Sequence, residues 1–150
     1  MSKHYIAYGS NLAVDQMSRR CPGARIEGKA ELQDWRLAFH LHATIRPEQG
    51  FTVPVLIWEI TDSDETALDC YEGYPHYYRK ETLPVMVTDL DGGKPRELEA
   101  MVYIMNSGSN LITPSKGYYD IIADGYDRFG FDKGVLERAF EDAFEEELNR

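Results

Sequence analysis

The order of strand-like and helix-like segments constrains the fold of this chain more than any other feature of its sequence. Predicted strands cover residues 4–8, 24–42, 51–60, 79–90 and 98–105, with a turn at 47–50 and a hairpin at 91–93, and predicted helices cover residues 12–20, 62–72, 115–125 and the chain after 132. Strands and helices do not alternate as they do around a parallel sheet. We therefore expect an α+β fold whose mainly antiparallel sheet closes into a small β-barrel, flanked by short helices and a C-terminal amphipathic helix.

Capping residues mark the ends of several predicted helices. Asp62, with Glu65 three residues later, predicts a capping box, and Gly73 stands where a helix C′ glycine belongs. Asn11 is expected to cap the helix that follows the first strand. The helix after Asp132 has one apolar stripe, and we expect its acidic face to be solvated.

Composition limits the class of protein. The length of 150 residues fits a single domain spanning residues 1–150. The 16 basic and 26 acidic residues give a net charge of −10, which argues against a nucleic-acid partner. Cys21 and Cys70 are too few and too far apart for a disulfide framework or a zinc site, so we expect two reduced, buried thiols. Without a signal peptide or an apolar run long enough for a membrane helix, a soluble cytoplasmic protein with no membrane partner is expected.

The segment Tyr8-Gly9-Ser10-Asn11-Leu12 is the first candidate for a binding site. A strand that ends in a glycine turn and continues into a helix presents backbone N–H groups and the positive end of a helix dipole. Such a turn suits a carboxylate, a phosphate or a developing oxyanion. On these five residues alone, an ordinary strand-to-helix turn is the simpler interpretation.

Glu72 is the second candidate. A carboxylate in the last turn of a helix faces the negative end of the helix dipole, and neighbouring tyrosines would exclude water, so both effects favour the neutral carboxyl. A carboxyl tuned in this way suits general acid and base catalysis near neutral pH. An exposed glutamate at a helix end remains the alternative from the residues alone.

Two histidines could in principle bind a metal ion. His40 and His42 alternate along one strand and would share a face, but no third ligand is near them in the sequence. An ordinary role in the strand is the simpler interpretation, and no metal site is predicted. Ser10 lacks the partners of a serine hydrolase, and His76 belongs to a loop rich in aromatic residues.

Taken together, these segments resemble the gamma-glutamylcyclotransferase family, which includes the avirulence-induced-gene-like proteins. The matching segments cover most of the chain and are Tyr8-Gly9-Ser10-Asn11-Leu12, Ala43-Thr44-Ile45, residues 51–60 with Trp58, Leu68-Asp69-x-x-Glu72-Gly73, Tyr78-Arg79, and Pro114-Ser115-x-x-Tyr118 with Ile121-Ile122. The ordered set is specific, although no single motif is. One departure is Pro54, where the family often has glycine; because proline lacks a ladder N–H, we expect a sheet edge or a bulge there.

The resemblance implies an enzyme that cleaves γ-glutamyl amides. In this family the α-amine of the substrate attacks its own γ-carbonyl, which releases 5-oxoproline and a free amine or amino acid. By position in the motifs, Glu72 would be the general acid and base, and the backbone of residues 8–12 would hold the α-carboxylate or the oxyanion. Tyr8, Tyr78 and Tyr118 would line the pocket. The resemblance implies no metal or organic cofactor.

The sequence leaves the leaving group open. It could be an amino acid, a polyamine, a lysine side-chain amine, or a biosynthetic intermediate capped with a γ-glutamyl group; the acidic net charge mildly favours a cationic amine. The alternative function is a non-catalytic binding module of the same fold that recognises a small carboxylate or a γ-glutamyl-type ligand. Because binding alone does not require a carboxylate at an unfavourable helix end, we favour the enzyme. The oligomeric state is left undetermined.

Overall fold

The computed structural model describes residues 3–106 and 110–150. Its strands are β1 (Lys3–Ala7), β2 (Arg25–His40), β3 (His42–Ile60), β4 (Tyr78–Val87) and β5 (Arg96–Met105). Its helices are α1 (Val14–Arg20), α2 (Asp62–Glu72), α3 (Lys116–Phe129) and α4 (Lys133–Leu148), and a 3₁₀ turn (Ser10–Leu12) lies between β1 and α1. Helix α4 packs against β2, and α3 packs against the 3₁₀ turn and α4.

The five strands form one mixed sheet in the order β2-β3-β1-β5-β4. The short central strand β1 is antiparallel to β3 and parallel to β5, and the pairs β2–β3 and β4–β5 are antiparallel. The α+β class is therefore confirmed, with one parallel pair in a mainly antiparallel sheet.

The predicted closure into a barrel is wrong. No ladder joins the edge strands β2 and β4 in the described residues; the edges meet at a single bridge, in which Lys29 and Thr88 exchange hydrogen bonds of 2.8 and 2.9 Å. Gly28 allows this close approach, because a Cβ there would lie 2.3 Å from the carbonyl oxygen of Thr88. A bulge between Ile26 and Gly28 bends β2 at this point. Alternation of side chains identifies strands, whereas closure depends on their tilt and stagger, which the alternation does not report.

The hairpin of β2 and β3 is longer than predicted, and the expected turn at residues 47–50 is wrong. Those residues lie inside β3, where Pro47 pairs with Trp35. The chain reverses instead at Leu41, whose φ is 69°, so that His40 pairs with His42. At Gly50 the chain continues along β3 without reversing. The Gly50 N–H donates to the side chain of Asp34, where the register between β2 and β3 shifts.

Pro54 lies in β3, a strand with neighbours on both sides. It pairs with Glu31 of β2, and the ladder between β3 and β1 ends at Leu56. Beyond that residue β3 has no β1 partner, so a missing N–H disrupts no ladder bond on that side. The sheet edge expected at Pro54 is present locally.

Helix boundaries follow the capping chemistry with small shifts. The capping box of α2 is made by Thr61 and Asp64, one residue before the predicted pair, and Gly73 ends the helix in the left-handed conformation at φ 66°. The prediction that Asn11 caps a helix is wrong, because Asn11 lies inside the 3₁₀ turn and Ala13 is the N-cap of α1. Asp132 caps α4 as expected.

The C-terminal helix differs from its predicted pattern on both faces. Phe144, which belongs to the apolar stripe by its helical spacing, is about half exposed (48%). On the acidic face, Asp142 hydrogen bonds to Arg36, and Glu147 accepts hydrogen bonds from the backbone and side chain of Thr113. Part of this face therefore anchors the segment before α3 instead of being solvated. Among the described residues, no helix has the length and apolar character needed to cross a membrane.

Candidate active site

A cavity of about 590 Å³ opens where the C-terminal ends of β1 and α2 meet the start of β4, the start of α3 and the β2–β3 reversal. Seven of the eight residues predicted to form the site line it: Tyr8, Gly9, Ser10, Asn11, Glu72, Tyr78 and Tyr118. The eighth, Leu12, is not among the lining residues. It is fully buried against α3, where a Cβ at Gly125 would lie 2.6 Å from the Leu12 Cβ. Leu12 is therefore a core residue that holds the loop against α3.

The loop after β1 is anchored by hydrogen bonds of the Asn11 side chain and carbonyl. The Asn11 side chain donates to the Tyr5 hydroxyl at 2.9 Å and accepts from Arg20, and the Asn11 carbonyl accepts from the Trp58 indole at 3.2 Å. In a 3₁₀ turn that begins at Ser10, the first backbone N–H groups have no partner within the turn. Among the described residues the N–H groups of Ser10 and Asn11 have no partner outside the turn either, so they are available to a ligand.

Glu72 is the carboxyl that lines the cavity. It ends α2, and the left-handed Gly73 after it turns the chain away; a Cβ at Gly73 would lie 2.5 Å from the Tyr77 ring. Within the described part of the chain the Glu72 carboxyl forms no hydrogen bond or ion pair. Burial raises its pKa from 4.5 to about 7, and the opposing charge of Arg20 is too weak to reverse this. A carboxyl with this pKa can both accept and release a proton at neutral pH.

Three tyrosine hydroxyls around Glu72 differ in what they can offer a ligand. The Tyr8 hydroxyl donates to the carbonyl of Tyr103 at 2.7 Å, and the Tyr78 hydroxyl donates to the carbonyl of Ala43 at 2.9 Å. Each has used its only proton, so its oxygen can only accept. The Tyr118 hydroxyl instead accepts from the Ala43 N–H at 3.1 Å and keeps its proton to donate.

Burial raises the pKa values of all three tyrosines, so each hydroxyl stays protonated at neutral pH. The nearby carboxyl of Glu72 acts in the same direction on each. The cavity thus combines two fixed acceptors and one fixed donor with a titratable carboxyl.

Sequence reasoning missed Tyr5 and Arg20 at this site, and it named Tyr71 only among the tyrosines that exclude water from Glu72. Tyr5 and Tyr71 line the cavity, and the Tyr71 hydroxyl lies 2.9 Å from the Ser10 Oγ. The Arg20 guanidinium lies 3.5 Å from the centroid of the Tyr71 ring. Arg20 lies eight residues after Leu12, the last residue of the segment Tyr8-Gly9-Ser10-Asn11-Leu12, so a search for charged residues near that segment could have found it.

The histidines and cysteines lie partly at the cavity. His40 and His42 both line it; the His40 Nδ1 lies 2.9 Å from the carbonyl oxygen of Asn110, and the His42 ring packs edge-on against Tyr118. Cys21 is buried as expected, but the expectation for Cys70 is wrong: it is exposed and lines the cavity, because α2 turns this residue outward.

The described residues bring one group of possible metal ligands together, and it lies outside the cavity. His4, Glu27 and Glu59 place their ligand atoms within 4.8 Å of one another. The two carboxylates are already paired, Glu59 with Arg25 and Glu27 with Arg96, each at 2.6 Å. These arginines supply the positive charge that a metal ion would bring, so the group is accounted for as a salt-bridge cluster.

The α+β fold places a carboxyl, tyrosine hydroxyls and backbone N–H donors around one cavity. This arrangement is typical of a protein that binds a small polar molecule. The family model for "Gamma-glutamyl cyclotransferase, AIG2-like" matches residues 5–126, and the chain belongs to this family. A curated relative is MJ1514 of Methanocaldococcus jannaschii, whose name assigns it by inference as a gamma-glutamylcyclotransferase. It is 31% identical over 64 residues, which are 43% of this chain and 49% of the relative. The match thus spans about half the length of that relative.

Solved structures share the fold over 72% to 93% of this chain. A protein named gamma-glutamyl cyclotransferase has a TM-score of 0.78 and 27% identity, with 93% of this chain and 86% of the other covered. A human protein described as uncharacterized has a TM-score of 0.74 and 28% identity, with 92% and 86% covered. A mouse AIG2-like protein, with a TM-score of 0.57, 20% identity, and 72% and 80% covered, supports the fold alone.

Proposed function

We propose that this protein is a cyclotransferase that cleaves γ-glutamyl amides and releases 5-oxoproline and a free amine or amino acid. The observation that carries the proposal is a carboxyl without a partner in the described residues, with a pKa of about 7, in a cavity of the size of a small molecule. Membership of the family supports cyclotransferase chemistry in general. The distribution of donors and acceptors around Glu72 supports the details.

The α-amino group of the substrate fits between Glu72 and the two tyrosine oxygens that can only accept. A substrate ammonium ion has donors and no acceptors, which matches the oxygens of Tyr8 and Tyr78 and the carboxylate of Glu72. The α-carboxylate has only acceptors and fits the N–H groups of Ser10 and Asn11. In this orientation the amine is held beside the carboxyl that must deprotonate it.

Ring closure then needs two proton transfers through one group. The Glu72 carboxylate takes a proton from the ammonium ion, and the free amine attacks the γ-carbonyl carbon to form a five-membered ring with an oxyanion. The hydroxyl proton of Tyr118 is available to stabilise this oxyanion. Glu72 passes its proton to the departing nitrogen and the C–N bond breaks. Of the three protons of the ammonium ion, one stays on the ring nitrogen and two reach the departing amine, carried by Glu72 one at a time.

The proposal is tested by measuring 5-oxoproline released from γ-glutamyl amides by the wild-type chain and by Glu72→Gln. Glutamine has the shape of glutamate but cannot carry a proton, so we expect turnover to fall by about 10²- to 10⁴-fold. Glu65→Gln, a change on the same helix but away from the cavity, is the matched control and should retain turnover.

Equal turnover by folded Glu72→Gln and wild-type protein would contradict the role of Glu72. Tight binding of γ-glutamyl amides without any 5-oxoproline would indicate a binding module and would overturn the enzymatic proposal.

A further inference from the structure

A groove of about 540 Å³ continues from the cavity and shares Ser10, Tyr71 and Tyr118 with it. Two arginines from the last turn of α1, Arg19 and Arg20, also line this groove. Within residues 3–106 and 110–150 neither arginine forms an ion pair with a carboxylate. In a chain with a net charge of −10, two arginines without such a partner beside the candidate site are a local excess of positive charge.

Arg20 is held in place while most of its donors stay available. Its guanidinium stacks over the Tyr71 ring and donates to the Asn11 side chain. A guanidinium has five N–H donors in a planar fork that matches a carboxylate, so this one acceptor leaves the others for a ligand. Arg20 stacks on Tyr71, which precedes Glu72 and lines both the cavity and the groove, so Arg20 lies beside the cavity of the group that would protonate the leaving nitrogen.

The chemistry of the reaction relates Arg20 to the leaving group. If the leaving group is an α-amino acid, its carboxylate is attached to the carbon next to the departing nitrogen. A nitrogen within reach of the Glu72 proton therefore places that carboxylate near Glu72 as well. A polyamine or a lysine side-chain amine would bring alkyl groups, and a second positive charge in the polyamine, toward the two arginines.

We propose that Arg19 and Arg20 form a carboxylate subsite for the leaving group, which makes γ-glutamyl α-amino acids the substrate class. This inference rests on the proposed cyclotransferase function. This substrate class differs from the cationic amine that the net charge of the chain favours. Exposed charges more than about 10 Å away are largely screened at physiological salt, so the charges nearest to the leaving group affect its binding most. Arg20 would bind through its remaining donors, and Arg19 would add charge at the outer end of the groove.

The test compares two substrates that differ only in that carboxylate, γ-glutamyl-L-alanine and γ-glutamylethylamide. For the wild-type protein we expect kcat/KM to be at least about tenfold higher for γ-glutamylalanine, as for loss of a hydrogen bond to a charged group. Arg20→Gln should lower this ratio about tenfold, and Arg19→Gln should lower it less. The ratio is the decisive quantity, because general damage to the loop or to Glu72 lowers both rates together.

Arg128→Gln removes an exposed arginine at the far end of α3 and should leave the ratio at the wild-type value. Equal kcat/KM for both substrates in the wild-type protein, or an unchanged ratio in Arg20→Gln, would overturn the subsite while leaving the cyclotransferase function intact. A preference for a γ-glutamyl polyamine would overturn it in the same way. If neither substrate releases 5-oxoproline, the proposed function itself is wrong and the subsite with it.

Discussion

Two glutamates of α2 lie about two helical turns apart and have opposite environments. The carboxylate of Glu65 lies between the ammonium groups of Lys3 and Lys80, at 2.6 and 2.7 Å. Burial by itself would raise the pKa of Glu65, but the hydrogen bonds and charges of the two lysines outweigh burial and lower it. Glu72 has no such partner among the described residues, and burial raises its pKa to about 7.

The comparison shows how one helix can carry a carboxylate held by two salt bridges and a carboxyl with a raised pKa. Glu65 joins α2 to β1 and β4 through its two lysines, and Asp69, one turn later, accepts from Lys80 at 2.8 Å. These pairs fix the position of the helix. Glu72 is left at its end with a carboxyl that can exchange protons.

The pH dependence of activity should show this difference most strongly. A general base must be ionised, so kcat/KM should decrease below an apparent pKa of about 7, by about 50-fold between pH 7 and pH 5 because half of the groups are ionised at pH 7. The measurement is kcat/KM against pH at constant ionic strength. Glu65→Gln should show the same profile, and a profile that stays flat down to pH 5 would exclude Glu72 as the titrating base.

The stability of Glu72→Gln should depend on pH in a direction set by the raised pKa. In the unfolded chain Glu72 ionises near pH 4.5 but in the folded protein near pH 7, so wild-type stability is lost as the pH rises between these values. Glutamine does not titrate. The variant should therefore gain up to about 3 kcal/mol relative to wild type between pH 4.5 and pH 7, with no further change above. Urea unfolding at pH 4.5 and pH 8 measures this gain, and an equal difference at both pH values would contradict the raised pKa.

The fold could be predicted from the sequence where local chemistry decides it. Gly73 ends α2 and Asp132 starts α4 as expected, because a left-handed C-cap and an N-cap hydrogen bond depend on residues close in sequence. Closure of the sheet depends on how distant edges approach, and in the described residues the edges of β2 and β4 meet only at the bridge between Lys29 and Thr88. No local pattern reports that contact.

The candidate site, like the fold, could be predicted from the sequence only in part. The residues that line the cavity include Glu72 and the loop from Tyr8 to Asn11, which the resemblance identified. Leu12 belongs to the same motif but faces the core, because neighbouring residues of a 3₁₀ turn point in different directions. Arg20 was missed because a stacking contact with Tyr71, 51 positions away in the sequence, sets its position beside the cavity.

Glu65→Gln should have the smallest of these effects and should separate the two glutamates most directly. The carboxylate of Glu65 is partly buried between two lysines, and its loss should cost about 1 kcal/mol of unfolding free energy at pH 7. Because its pKa is lowered in the folded protein, this contribution is present above the ordinary pKa of a glutamate and disappears as the pH falls through the folded value. The stability difference between the variant and wild type should therefore shrink in acid, whereas that of Glu72→Gln grows toward neutral pH. Urea unfolding at pH 7 and pH 3, combined with the 5-oxoproline assay, measures both properties. A Glu65→Gln protein that keeps its stability but loses turnover would reverse the assignment of the two carboxyls.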